Sequence, residues 1–213
     1  MLSMFSTLIV GCSKDDTADD NASGLSVPKA NEIYYTTRDG EVLYPTKSEP
    51  AIFGTAMMSS TYEDEKGVLT FASSVTRIGS EAFSECYRLT SITIPDSVTE
   101  IGYSAFWRCT HLTSINIPNS VTEIGRYAFG FCTSLTSITV PDSVTKIIDD
   151  AFDCCKQLSK VYFKSTTPPI LGGSIFFNCA SDLKIYVPTA SVETYKAADG
   201  WSDMADCIEG YDF

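Results

Sequence analysis

From Val75 the chain reads VTRIGSEAFSECYRLTSITIPDS, from Val98 VTEIGYSAFWRCTHLTSINIPNS, from Val121 VTEIGRYAFGFCTSLTSITVPDS and from Val144 VTKIIDDAFDCCKQLSKVYFKST. The period is 23 residues, four times without a gap. A fifth, irregular copy keeps the spacing of Phe176 and Cys179 and ends in Ile185-Tyr186-Val187-Pro188. Self-similarity at this period is the signature of a solenoid, in which no unit buries its apolar side alone. In each unit, V-T-x-I and L-x-x-I-x-I alternate apolar residues as strands do. The proline that follows the second stretch removes a ladder donor and ends it. Between them, A-F-x-x-C-x-x-L has the spacing of one short helical turn that points Phe and Cys inward. The predicted core is a set of columns: Val98, Val121 and Val144; Ile101, Ile124 and Ile147; Phe106, Phe129 and Phe152; Leu112, Leu135 and Leu158. Five coils at the ordinary strand spacing would stack to about 24 Å.

The motif S-V-T-x-I-G-x-x-A-F-x-x-C-x-x-L-x-x-I-x-I-P resembles the BspA-type leucine-rich repeats of bacterial surface proteins, over roughly residues 75–188. The resemblance implies a repeat solenoid, display at a cell surface and a role in binding or adhesion, with no catalytic residues to carry over. Residues 31–74 are expected to form a β-rich N-terminal cap. Within it, Ile33–Thr37 and Glu41–Tyr44 read as a hairpin turning at Arg38-Asp39-Gly40, and Gly67–Phe71 as the strand docking that hairpin onto the first repeat. Residues 189–213 are expected to form the C-terminal cap, with a short helix over Ser191–Ala198 and Trp201 covering the last coil.

Met1–Gly11 is apolar and too short to span a bilayer as a helix, so residues 1–12 read as the end of a secretory signal rather than as part of the fold. Ile9-Val10-Gly11-Cys12 resembles a lipobox, which implies a lipidated Cys12. The following Ser13-Lys14-Asp15-Asp16 resembles the signal that sends Bacteroidetes lipoproteins to the outer face of the outer membrane; the periplasmic face is the other location weighed. No Lys or Arg precedes Cys12, which points to a true start upstream of Met1. Residues 13–30 read as a flexible tether.

The 213 residues carry a net charge of −12, with one histidine, His111. Nucleic acid and anionic membrane surfaces are poor partners for such a chain, and a lipid would be its only membrane contact. The acidity sits at the ends: Val75–Thr166 holds eight basic and nine acidic residues. A lone histidine on an outward position leaves nucleophilic catalysis without a base, and there is no phosphate-binding glycine loop. No catalytic residue, metal site or cofactor is expected, and the chain reads as a monomeric non-enzyme. Asp149, Asp150 and Asp153 lack the spacing of a calcium loop and read as a solvated face. Cys86, Cys109, Cys132 and Cys155 recur at one repeat position and are expected to form a column of buried free thiols rather than disulfides or a zinc site. Cys154 and Cys207 fall outside that column.

Positions not needed by the core are free for binding. On the L-x-x-I-x-I strands these are Ser91 and Thr93, Ser114 and Asn116, Ser137 and Thr139, then Lys160 and Tyr162. On the turn side, Tyr103, Trp107, Arg108, Tyr127 and Phe131 cluster in the second and third repeats. Exposed Trp, Tyr and Arg make up protein hot spots and glycan platforms; the alternative is that the rings only pack on neighbouring repeats. The reading is a surface recognition protein for a host or neighbouring-cell macromolecule, with glycan capture for nutrient uptake as the second hypothesis.

Overall fold

The computed structural model describes residues 27–213. Cys12 and the tether up to residue 26 lie outside the described residues. The chain runs β1 (Glu32–Thr37), α1 (Pro50–Phe53), β2 (Met57–Glu63), β3 (Lys66–Phe71), β4 (Leu89–Thr93), β5 (Glu100–Ile101), β6 (Ser114–Ile115), β7 (Glu123–Ile124), β8 (Ser137–Val140) and β9 (Lys146–Ile147). It continues through β10 (Lys160–Phe163), β11 (Ile170–Leu171), β12 (Lys184–Pro188), α2 (Val192–Ala197) and β13 (Ile208–Tyr211).

Each 23-residue unit is one coil with three sides. The L-x-x-I-x-I stretches stack in parallel as β4–β6 and β8–β10–β12, in register at the 23-residue offset: Ile92 lies beside Ile115, and Val161 beside Ile138. The V-T-x-I stretches form a second parallel ladder, β5–β7–β9–β11. The third side carries A-F-x-x-C. Here the chain makes a succession of tight turns in place of helix, and its N–H groups donate to the next coil: Phe83 to Ala105 (2.7 Å), Phe106 to Ala128 (2.8 Å) and Phe129 to Ala151 (2.8 Å). Two residues per coil enter the left-handed region to make this possible, among them Ser104 and Arg108, then Tyr127 and Phe131.

The core is the expected set of columns. Phe83, Phe106, Phe129, Phe152 and Phe176 stack with ring centroids 5.3–5.5 Å apart. Phe53 from α1 covers the first ring at 5.8 Å. Trp201 closes the far end, fully buried, against Phe163 and Tyr195 and donating from Nε1 to the Pro169 carbonyl at 2.9 Å. Glycine in V-T-x-I-G has a steric reason: a Cβ on Gly125 would lie 2.5 Å from the carbonyl carbon of Gly102 in the coil before.

The N-terminal cap differs from the expectation. Glu41–Tyr44 is not a strand, and the hairpin is β2–β3, turning at Asp64-Glu65. β1 lies antiparallel between β3 and β4, so β1 docks the cap onto the first coil while β3 lies behind it. Both edges of β1 are thereby occupied. The backbone of 41–44 is held by side chains instead: Leu43 N–H donates to the Tyr35 hydroxyl (3.0 Å), its carbonyl accepts from Ser60 Oγ (2.6 Å), and the Val42 carbonyl accepts from Arg88 (2.7 Å). The same docking buries Ser91 and Thr93, which the sequence placed outward; Thr36 Oγ1 sits 2.6 Å from Ser91 Oγ.

Candidate functional site

On the turn side the second and third coils place four rings in two inter-coil pairs. Tyr103 meets Tyr127 edge to face at 6.5 Å, and Trp107 meets Phe131 edge to face at 6.2 Å. The Arg108 guanidinium lies 4.2 Å from the Trp107 ring and 5.8 Å from Phe131, held by Glu85 of the first coil at 3.4 Å. Arg126 covers Tyr127 at 4.9 Å and pairs with Asp150 at 3.2 Å; that bond holds its guanidinium pKa up. Tyr103 and Arg108 are exposed, while Trp107, Tyr127 and Phe131 are half-buried. All five turn-side residues singled out in the sequence thus come together in one band across two coils.

The band shares the backbone of the other coils but fills it with larger side chains. Arg108, Tyr127 and Phe131 all have left-handed φ, at 57°, 53° and 61°. Such geometry favours Gly, Asn and Asp, and a bulky residue there stores roughly 1–2 kcal/mol. Equivalent places in other coils hold Glu81, Ser104, Asp150 and Ser174 at the first position and Glu85, Cys154 and Asn178 at the second. The rings are therefore carried where smaller polar residues would fold more easily.

A family model for the BspA type leucine rich repeat region matches residues 62–183 in six copies, more than half of the chain. The chain belongs to the BspA-type leucine-rich repeat family. Among solved structures, a leucine rich cell surface protein from Faecalibacterium prausnitzii is 38% identical over 54% of this chain and 30% of its own, with a TM-score of 0.48. The pneumococcal vaccine antigen PcpA is 18% identical over 65% of this chain and 40% of its own, also at 0.48. A leucine rich repeat protein of T. pallidum is 21% identical over 66% of this chain and 80% of its own, at 0.40. The chain thus spans well under half the length of the first two. A comparison with curated proteins finds no match.

The other two candidates, Lys160 and Tyr162, lie on the strand side of the BspA-type coils, away from the band. Tyr162 stacks on Tyr186 at 4.9 Å, and Tyr211 closes on both at 5.3 and 5.8 Å, with Phe213 5.0 Å beyond it. Lys184 beside them pairs with Glu209 at 2.6 Å, and that bond raises its pKa. The sequence reading missed Tyr186, Tyr211 and Phe213. The 24-residue step from Tyr162 to Tyr186 was a visible signal, whereas Tyr211 arrives through β13, which belongs to no repeat.

Three further positions differ from their sequence reading. His111 is not unpaired: its Nε2 lies 3.2 Å from Arg38 Nη1, and its Nδ1 lies 3.2 Å from Thr110 Oγ1. The acidic residues of the fourth coil are not simply solvated. Asp149 accepts from Gly173 N–H at 2.8 Å, Asp150 holds Arg126, and Asp153 Oδ1 is buried without a partner among the described residues. Asn116 turns back onto the preceding coil, accepting from Ile94 N–H at 2.7 Å and donating to its carbonyl at 3.1 Å. Among the described residues no group of three His, Cys, Asp or Glu is placed to hold a metal ion, and no helix is long and apolar enough to cross a membrane.

Proposed function

We propose that the protein is a non-catalytic recognition protein displayed at a bacterial surface, binding a host or neighbouring-cell protein through the band of Tyr103, Trp107, Arg108, Tyr127 and Phe131. The observation that carries this reading is the retention of Arg108, Tyr127 and Phe131 at left-handed positions, where their large side chains cost stability and reach outward. Backbone strain of this kind points to selection for something other than folding. Aromatic rings with an arginine are the composition of protein hot spots. The support for protein over glycan at this band is that its rings already meet one another edge to face and carry guanidinium groups on their faces. The family and the Ile9-Val10-Gly11-Cys12 sequence support display through a lipid on Cys12, at the outer face of the outer membrane.

The test is a panel of purified host matrix proteins, native and deglycosylated, measured against the full chain. Arg108→Glu and Trp107→Ala should weaken binding by about tenfold or more, as expected for hot-spot residues, while deglycosylation of the partner leaves it unchanged. Arg108 is exposed and its pair with Glu85 is a surface one, so its exchange should cost no more than about 1 kcal/mol of stability. Binding that is indifferent to both exchanges, or lost with deglycosylation, overturns the reading. Protease shaving of intact cells should remove the protein; survival until lysis would defeat surface display.

A further inference from the structure

A second surface feature lies where the cap crosses the first coil. Val42, Leu43, Tyr44 and Thr46 on one side, and Glu85, Cys86, Tyr87 and Arg88 on the other, line an open groove of about 360 Å³. That volume is at the lower end for small-molecule sites. We propose that this groove binds a neutral oligosaccharide.

The groove's walls are fixed before any ligand arrives. Segment 42–46 is strapped to the coil by Arg88 on the Val42 carbonyl and by the Thr46 N–H on the Ala82 carbonyl at 2.9 Å, and to the cap by Tyr35 and Ser60 on Leu43. These bonds, three from side chains and one between backbones, stand in place of the expected strand ladder, and Tyr44 and Tyr87 both line the groove they fix. A preformed site spares a flexible ligand part of the ordering cost on the protein side.

The rings distinguish this place from the rest of the surface. Six aromatic side chains are exposed: Tyr103, Tyr211 and Phe213 are engaged by other rings, and Phe177 lies outside the groove and has no hydroxyl. Tyr44, at 65% exposure, and Tyr87, at 44%, make no side-chain hydrogen bond or ring contact among the described residues. Both line the groove. Each offers an uncovered, electron-rich ring face and a free hydroxyl. Sugar rings carry polarised C–H groups on one face and hydroxyls around the rim, which match that combination.

Charge decides against an ionic ligand. The two charged side chains of the lining are already neutralised: Arg88 by Asp39 at 3.3 Å, and Glu85 by Arg108 at 3.4 Å. Neither sign is left over to attract a phosphate, a uronic acid or an ammonium group. What remains is amphipathic and uncharged, with Val42 and Leu43 as apolar lining.

The groove touches the aromatic band only through the Glu85–Arg108 pair, so the experiment leaves Arg108 in place and keeps the two apart through Trp107. Isothermal titration of the full chain uses maltoheptaose, cellohexaose, xylohexaose, mannohexaose and N-acetylchitohexaose as neutral probes, with oligogalacturonate and heparin hexasaccharide as charged ones. At least one neutral probe should bind saturably. Tyr44→Ala and Tyr87→Ala should each weaken it by about tenfold, the loss of one ring contact with its buried area. Tyr44→Phe and Tyr87→Phe should keep most of the affinity, and Trp107→Ala should leave it unchanged. The thermal midpoint of Tyr44→Ala should stay close to the parent and that of Tyr87→Ala should fall by no more than a few degrees, because neither side chain has a hydrogen-bond or ring partner among the described residues. The proposal falls if no neutral probe binds, if a charged probe binds as tightly as the best neutral one, or if both alanine variants bind like the parent. Loss of sugar binding in Trp107→Ala, with Tyr44→Ala unaffected, would also overturn it by moving the sugar to the band.

Discussion

The Sγ of Cys132 lies 3.2 Å from the carbonyl oxygen of Phe106, one coil back, and that oxygen also accepts the Cys109 N–H at 3.1 Å. The arrangement repeats from Cys109 to Phe83 (3.0 Å), Cys155 to Phe129 (3.1 Å) and Cys179 to Phe152 (3.3 Å). Each thiol uses the second lone pair of a carbonyl that would otherwise hold one bond. Cysteine suits this place because it packs as a small hydrophobe and still donates. Cys132→Ala should therefore cost about 1–2 kcal/mol, from a small cavity plus a lost weak bond. Thermal unfolding should register this as a fall of roughly 2–8 °C in the midpoint. Cys132→Ser should be no better than Ala, because its shorter C–O bond leaves a buried hydroxyl short of the oxygen. A serine variant as stable as the parent would show that the column is set by hydrogen bonding alone.

The same column makes stability depend on alkaline pH. Burial pushes the thiols of Cys109, Cys132 and Cys155 well above their ordinary value of 9.0, and Cys179 up to about 12. In the unfolded chain these thiols lose their protons near 9.0, so above that pH the folded state binds more protons. Stability is fully present below pH 9 and is lost as pH rises toward the folded values, by up to about 1.4 kcal/mol per pH unit for each thiol. Urea midpoints under reducing conditions should be flat below pH 8 and fall steeply between about pH 9 and 10. Cys132→Ala should show a shallower fall; an unchanged slope would contradict the linkage.

Much of this was legible in the sequence because a solenoid repeats its instructions. Val98, Phe106, Cys109 and Leu112 recur at 23-residue steps, and their columns are buried where the period put them. Reading failed where the next neighbour is not another copy. Ser91 and Thr93 look like the outward Ser137 and Thr139, but β1 covers the first coil and the third has no such cover. Glu41–Tyr44 has the alternation of a strand, yet its polar backbone groups are claimed by Tyr35, Ser60 and Arg88, which no local pattern announces. The aromatic band was visible as a departure from the repeat consensus. The Tyr44–Tyr87 groove was not, because its two walls are 43 residues apart and only one of them belongs to a repeat.

Gly125 gives a sharper test of coil spacing. With a Cβ position 2.5 Å from Gly102 carbon and 2.8 Å from Tyr103 nitrogen, Gly125→Ala forces backbone against backbone. Neither contact is the end of a flexible side chain that could move aside. The fourth coil carries Ile148 here, and its N–H bond to the Ile124 carbonyl is 2.9 Å against 2.7 Å for Gly125 to Ile101. Gly125→Ala should cost about 1–3 kcal/mol, the range for overpacking a tight interior. Chemical denaturation should show it as a lower midpoint at unchanged slope, since the surface exposed on unfolding stays the same.

Trp201 closes the stack at its C-terminal end. Its ring is fully buried, 4.9 Å from Phe163 and 4.7 Å from Tyr195, and its Nε1–H satisfies the Pro169 carbonyl. Tyr195 is tied in turn to the Ser165 carbonyl at 2.8 Å, and burial raises its pKa. In a solenoid each coil is stabilised chiefly by its neighbours, so a lost cap acts first on the coil it covers. Trp201→Ala should remove about 3–5 kcal/mol, as large aromatic truncations do. Trp201→Phe keeps most of the ring but leaves the Pro169 carbonyl unpaired, for about 1–2 kcal/mol. Amide exchange should locate the effect: in Trp201→Phe the N–H groups of β12 should lose protection before those of β4 and β6. Uniform loss of protection along the stack would mean that the coils unfold as one unit and that the cap has no local role.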